Sequence, residues 1–141
     1  MPIDPASIAK EDEDSQQLAL FMQLRNEART RPKFALAYHI PNGGSRGDTA
    51  RSRAIEGGKM KAAGVKPGVP DVHWPIARGG FHSLYIEMKR PSLKPKKSDS
   101  PRGTSEDQDK WIAALTQEGH CVAICYSWTE ALEVFNWYYE L

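Results

Sequence analysis

The sequence predicts a single mixed α/β domain, and three observations carry that expectation. Helix-like and strand-like patterns alternate along the chain in the order helix, strand, helix, strand, strand, helix, strand, helix. Two neighbouring apolar segments, Asp71 to about Trp74 and His82 to Lys89, flank Arg78-Gly79-Gly80, a tight-turn signature that makes them antiparallel partners. The 141 residues, 40% of them apolar, suffice for one hydrophobic core, so one domain spanning 1–141 is expected.

Each element follows from local pattern. Ser15 to about Arg29 places Leu18, Phe21, Met22 and Leu24 on a helical stripe that must stop before Pro32. Phe34 to Ile40 alternates large and small side chains as a strand does, and Pro41-Asn42-Gly43-Gly44 reads as its turn. Asp48 to Ala63 is helical in pattern, weakened by Gly57-Gly58 and closed by Gly64. Lys66-Pro67-Gly68 turns the chain into the antiparallel pair. Pro91 to Gly103, rich in Pro, Ser and Lys, reads as a flexible basic loop. Thr104 with Asp107 resembles a helix cap, and the helix from Gln108 to Glu118 carries Trp111, Ile112 and Leu115 on one face. Cys121 to Tyr126 is a further strand, and Ser127 caps a last helix whose Leu132, Val134 and Phe135 face inward.

Composition excludes several function classes. No apolar run approaches the ~18 to 20 residues that span a bilayer, and Met1-Pro2-Ile3-Asp4-Pro5 lacks the basic start of a signal peptide, so a cytoplasmic location is expected. Cys121 and Cys125 lie in one strand, which keeps their sulfurs roughly 13 Å apart, and both read as free thiols. Gly57-Gly58-Lys59-Met60 lacks the upstream glycine and following hydroxyl of a phosphate-binding loop. His120, Cys121 and Cys125 have no fourth ligand at zinc-finger spacing, and no Ser or Cys nucleophile has a supporting base.

The net charge of +1 hides strong local asymmetry. Residues 1–14 are acidic through Asp4, Glu11, Asp12, Glu13 and Asp14. Basic residues cluster at Arg46, Arg51, Arg53, Lys59, Lys61 and Lys66, and again at Lys89, Arg90, Lys94, Lys96, Lys97 and Arg102. Such clusters can follow a phosphate backbone, although a solvated loop carries the same signature.

The chemistry concentrates at Asp71 and Glu87-Met88-Lys89. Side chains alternate across a strand, so Leu84, Ile86 and Met88 point into the core while Tyr85, Glu87 and Lys89 share the other face. Antiparallel pairing sets the start of the Asp71 strand against the end of the Glu87 strand. Two carboxylates and a main-chain carbonyl are hard oxygen donors suited to Mg²⁺ or Mn²⁺, with a cationic side chain alongside, which is how a phosphodiester is hydrolysed. As an isolated tripeptide, Glu-x-Lys is also an ordinary ion pair. Glu13 and Gln17 share one face of the first helix, and Gln108 opens the helix after the basic loop, so both elements can aim polar groups at the same place.

Four blocks in order resemble a known family: His39-Ile40-Pro41-Asn42-Gly43-Gly44, Met60 through Asp71, Leu84 through Arg90, and Gln108-Asp109-Lys110-Trp111. They look like the VRR-NUC family of virus-type replication and repair nucleases, within the PD-(D/E)xK superfamily, over about Glu13 to Ala131. The resemblance implies a restriction-endonuclease-like core, a mixed β-sheet flanked by α-helices. It implies a metal-dependent endonuclease acting on branched DNA, including four-way junctions, as a homodimer in a bacterial or phage-infected cell. Asp71 and Glu87 would be metal-binding carboxylates, with the Met88 carbonyl as a further ligand. Lys89 would orient or activate the attacking water, Gln108 would position Lys89 or water, and Glu13 would be the first-helix acid, a second metal or outer-shell ligand, chosen over Glu11, Asp12 and Asp14 for its spacing to Gln17. Arg46, Arg51, Arg53, Lys61, Lys66, Arg90, Lys94, Lys96, Lys97 and Arg102 would contact DNA. Two other readings compete: a junction-binding module without turnover, and a restriction or recombination nuclease that cuts plain duplex. The C-terminal aromatics Phe135, Trp137, Tyr138 and Tyr139 offer one candidate dimer patch.

Overall fold

Helix α1 (Glu13–Ala28) is the first α-helix of the computed structural model, which describes residues 3–42, 49–98 and 100–141. It starts two residues ahead of Ser15 because Asp12 is the N-cap, its carboxylate accepting the Ser15 N–H at 2.8 Å. That bond holds the Asp12 carboxyl below its usual range. The buried face is Gln16, Ala19, Leu20 and Leu24, while Leu18 is left exposed. The face is turned from the expected stripe because Gln16 is fully used inside: its amide donates to the Lys10 carbonyl and its oxygen accepts the Trp128 N–H at 2.8 Å. One buried glutamine thus ties the first helix to the start of the last.

The strand expected over Phe34 to Ile40 is mostly a 3₁₀ turn, Pro32–Leu36, and only Tyr38–His39 forms strand β1. Pro32 presets the turn, and the indole Nε1 of Trp74 donates to the Lys33 carbonyl at 2.8 Å, diverting that group from a ladder. Phe34 then inserts against Trp74, Phe135 and Tyr139, with ring centroids 4.8, 6.2 and 5.2 Å away.

Helix α2 (Ala50–Ala62) is capped by Thr49 in a reciprocal box with Ser52, whereas Asp48, Gly43 and Gly44 lie outside the described residues. It ends as expected at Gly64, with Val65 N–H on the Met60 carbonyl and Gly64 N–H on the Lys61 carbonyl. No residue of α2 is buried.

Strands β2 (Val72–Trp74), β3 (Leu84–Met88) and β4 (Cys121–Cys125) complete a four-stranded sheet in the order β1-β2-β3-β4. The β1/β2 and β2/β3 pairs are antiparallel, and β3 and β4 are parallel, as a helical crossover requires. The hairpin turn expected at Gly79-Gly80 is present: Phe81 N–H meets the Arg78 carbonyl at 2.8 Å, and both glycines have positive φ, 56° and 87°. The crossover helix α3 (Glu106–Gln117) is capped by Ser105 and not by Thr104; Ser105 and Gln108 form the capping box, leaving Thr104 to bond Asp109.

Helix α4 (Trp128–Tyr139) and α1 cover one face of the sheet, where Val72, Trp74, Leu84, Ile86 and Met88 meet Leu20, Leu24, Phe135 and Tyr138. Phe135 is buried as expected, Leu132 and Val134 only partly so. The four-aromatic patch does not survive. Tyr138 is buried with its hydroxyl on the Ile76 carbonyl, Tyr139 packs on Phe34, and only Trp137 stays 52% exposed. Both cysteines are free thiols, and burial pushes Cys125 up to about 12.

Gly68 governs how closely the chain before β2 approaches α3. Its φ is +87°, and an added Cβ would lie 2.6 Å from the carbonyl carbon of Asp107. Gly68→Ala should therefore destabilise the fold by at least about 1–2 kcal/mol. Gly57→Ala, in an open position inside α2, should instead be neutral or stabilising by up to about 1 kcal/mol. Urea unfolding of the two variants checks the contrast.

Candidate active site

Asp71 sits just ahead of β2, behind the buried Pro70, and its backbone is held by the edge strand. Its carbonyl accepts the Ile40 N–H at 2.7 Å and meets His39 Nδ1 at 2.9 Å. The Val72–Ile86 register carries Asp71 to the Glu87 end of β3, where its Oδ2 accepts the Met88 N–H at 2.8 Å. Glu87 and Lys89 lie on the face opposite Ile86 and Met88, as alternation requires, and both are almost wholly buried, at 1% and 6% exposure.

The amide of Gln108 joins these two. Its Nε2 donates to Glu87 Oε1 at 2.9 Å, and its Oε1 accepts Lys89 Nζ at 3.0 Å and the Ser105 N–H at 2.9 Å. The cap of α3 and the site therefore share one side chain, and the capping bond fixes its rotamer. Lys89 Nζ stands 3.6 Å from Glu87 Oε1 and 3.9 Å from Glu13 Oε1, the latter on a half-exposed side chain. Of the four clustered acids, Glu13 makes this contact, Asp12 is used as the cap, and Asp14 lines the pocket beside it.

Glu13, Asp71, Glu87, Met88, Lys89 and Gln108 all line one pocket of about 280 Å³. Gln17, His39 and Asn42 line it too. Asn42 stood in a sequence block without a role, and Ser105 was passed over for Thr104; the visible signal for Ser105 was its three-residue spacing to Gln108. A larger groove of about 810 Å³ adjoins it on the α1 side and is lined largely by apolar side chains such as Leu18, Phe21 and Tyr38.

Electrostatics set the character of the pocket. Burial foremost, and then the neighbouring Asp71 charge, push Glu87 up to about 8. Burial also raises Asp71, against the Met88 N–H and the nearby His39 and Lys89. Glu87 Oε2 is buried and has no hydrogen-bond partner among the described residues. Two carboxylates facing one ammonium, with a buried oxygen unpaired, suit a divalent cation. Among the described residues no group of three or more His, Cys, Asp and Glu side chains converges where it could hold a metal ion.

The basic residues are placed less uniformly. Arg51, Arg53, Lys61, Lys66, Arg90, Lys96 and Lys97 are exposed, and Arg46 lies outside the described residues. Lys94 pairs with Glu130, and Arg102 pairs with Asp109 at 2.9 Å while its carbonyl accepts the Tyr126 hydroxyl. The segment 91–103 is thus tied to α3 and to the start of α4.

A family model of the VRR-NUC domain matches residues 22–128, which include Asp71, Glu87, Lys89 and Gln108 but not Glu13. The chain belongs to the VRR-NUC nuclease family. A solved structure of a "VRR_NUC domain protein" is similar to this VRR-NUC chain at 28% identity and TM-score 0.66, over 94% of this chain and 92% of that one. A search of curated proteins found no match. No helix among the described residues is long and apolar enough to cross a membrane.

The raised Glu87 value has a signed consequence for the metal-free VRR-NUC domain. Between the ordinary carboxylate value and about 8, the folded state holds a proton that the unfolded state has lost, so stability falls as pH rises through that window. Glu87→Gln cannot titrate. In EDTA, the wild-type melting temperature should fall relative to Glu87→Gln from pH 5 to pH 8.5, and a constant difference would contradict the assignment.

Proposed function

We propose that the chain is a Mg²⁺- or Mn²⁺-dependent endonuclease that hydrolyses phosphodiester bonds in branched DNA. The observation that carries this reading is the pairing of half-buried Asp71 with buried Glu87, short of positive charge, with Lys89 held beside Glu87 through Gln108. Asp71, Glu87 and the Met88 carbonyl would hold the cation, with Glu13 at the rim. The cation supplies a lowered water pKa and charge to offset phosphate. Lys89, held by Gln108 and flanked by carboxylates, keeps its ammonium where negative charge develops during attack, without reorganising. Gln108 places Lys89 relative to Glu87, and placement is most of what a nuclease fold contributes. The exposed cations of α2 and of the 91–103 segment support a phosphate-tracking role.

Branched DNA is taken as the substrate from the resemblance to replication and repair nucleases, and selectivity for it over plain duplex depends on dimer geometry. A four-way junction has near two-fold symmetry and needs paired cuts, which a homodimer supplies through two symmetric sites. Purified protein incubated with a four-way junction and with a matched duplex, in Mg²⁺, Mn²⁺ or EDTA, should cleave the junction preferentially and only with metal. Light scattering at micromolar concentration should give about twice the 15.8 kDa chain mass. Equal cutting of both substrates would indicate a duplex nuclease, and binding without cutting a junction-binding module.

Side-chain variants divide the chemistry. Asp71→Ala and Glu87→Ala should abolish cleavage while DNA binding persists or tightens, since fewer carboxylates repel phosphate. Lys89→Ala should lower the single-turnover rate by at least ~10²-fold with little change in affinity. A loss confined to affinity would make Lys89 a phosphate contact.

A further inference from the structure

Among the described residues, Asn42 Oδ1 is, like Glu87 Oε2, a buried side-chain atom with no hydrogen-bond partner. Asn42 lines the same pocket as Asp71 and Glu87. Its Nδ2 donates to the Val69 carbonyl, and a carbonyl can be met only by the NH₂ end, so the tether fixes which end of the amide is left over. Val69 stands two residues before Asp71, and the Asp71 carbonyl is itself gripped by His39 and Ile40. The Asn42 amide and the Asp71 carboxylate are thereby carried on the same pair of crossing segments. A buried amide oxygen left unsatisfied is costly unless something meets it.

We infer that the Asn42 side-chain oxygen is a third side-chain donor of the divalent-cation site, completing it with Asp71 and Glu87. The inference rests on reading the pocket as a cation site. A neutral oxygen is what the site calls for chemically. In the metal-free pocket a third carboxylate would deepen the repulsion between Asp71 and Glu87, whereas an amide oxygen adds a hard donor and no charge; once a cation is bound and offsets that repulsion, either oxygen can serve as donor. It also assigns a purpose to the two unpaired oxygens together, since one cation meets both.

Mn²⁺ affinity in the absence of DNA tests this without recourse to activity. Titration of free Mn²⁺ followed by electron paramagnetic resonance would compare wild type, Asn42→Ala, Asn42→Asp and Asp71→Ala, with circular dichroism and melting curves confirming that each variant is folded. Asp71→Ala should abolish binding, and Asn42→Ala should weaken it by about 10-fold or more. Asn42→Asp keeps an oxygen but gives up the N–H tether to Val69, so it should bind at least as tightly as wild type. If Asn42→Asp is as weak as Asn42→Ala, the amide acts only through its tether and the inference fails. Wild-type affinity in Asn42→Ala, with Asp71→Ala still defective, overturns the Asn42 assignment while leaving the cation site standing. Failure of the wild-type protein to bind Mn²⁺ overturns both.

Discussion

The architecture of this domain answers to one constraint, the placing of two carboxylates, Glu87 buried and Asp71 half-buried, side by side with a single ammonium to offset them. Glu87 and Asp71 are drawn together by the register of β2 and β3, and burial takes Glu87 out of the water that would otherwise screen its charge. The nearby groups counter the cost. The Met88 N–H faces Asp71, the Gln108 amide faces Glu87, and Lys89 lies between Gln108 and Glu87. Removing any one leaves a charge without compensation, which explains why strand, helix cap and edge loop converge on so small a volume.

Much of this was legible in the sequence because it depends on short-range periodicity. Strand alternation alone puts Glu87 and Lys89 on one face, and the Gly79-Gly80 turn alone makes β2 and β3 antiparallel, so the meeting of Asp71 with the end of β3 follows from residues close in the chain. The Glu13–Gln17 spacing likewise pointed to two residues that do line the pocket. The chain also shows where such reasoning ends. Phe34 to Ile40 has strand-like alternation, yet Pro32 and the distant indole of Trp74 draw it into a 3₁₀ turn. The α1 stripe was misjudged because Gln16 is buried through partners at Lys10 and Trp128, contacts that apolar periodicity cannot register. Tyr138 resembles an interface residue until its hydroxyl finds the Ile76 carbonyl. Tertiary hydrogen bonds to backbone carbonyls decided each of these cases.

The site and the stability of α3 are physically inseparable. Gln108 serves as both the N3 member of a capping box and the link between Glu87 and Lys89, so the free energy that starts the helix also holds those two side chains in place. Such sharing limits how freely substitution can raise one property alone. A residue that caps better but lacks the amide would strengthen the helix and release Lys89.

The crossover from β3 to β4 has a different freedom. The Lys89 N–H is bonded to the Cys125 carbonyl at 2.8 Å on one side, and Ser105 anchors the other through Gln108, so the chain between them is clamped at both ends close to the chemistry. Loop-closure entropy grows only slowly with length. A change of length between residues 91 and 104 therefore costs little in closure entropy, and what it must preserve or replace are the ties of Lys94 to Glu130, of Arg102 to Asp109 and of the Tyr126 hydroxyl to the Arg102 carbonyl.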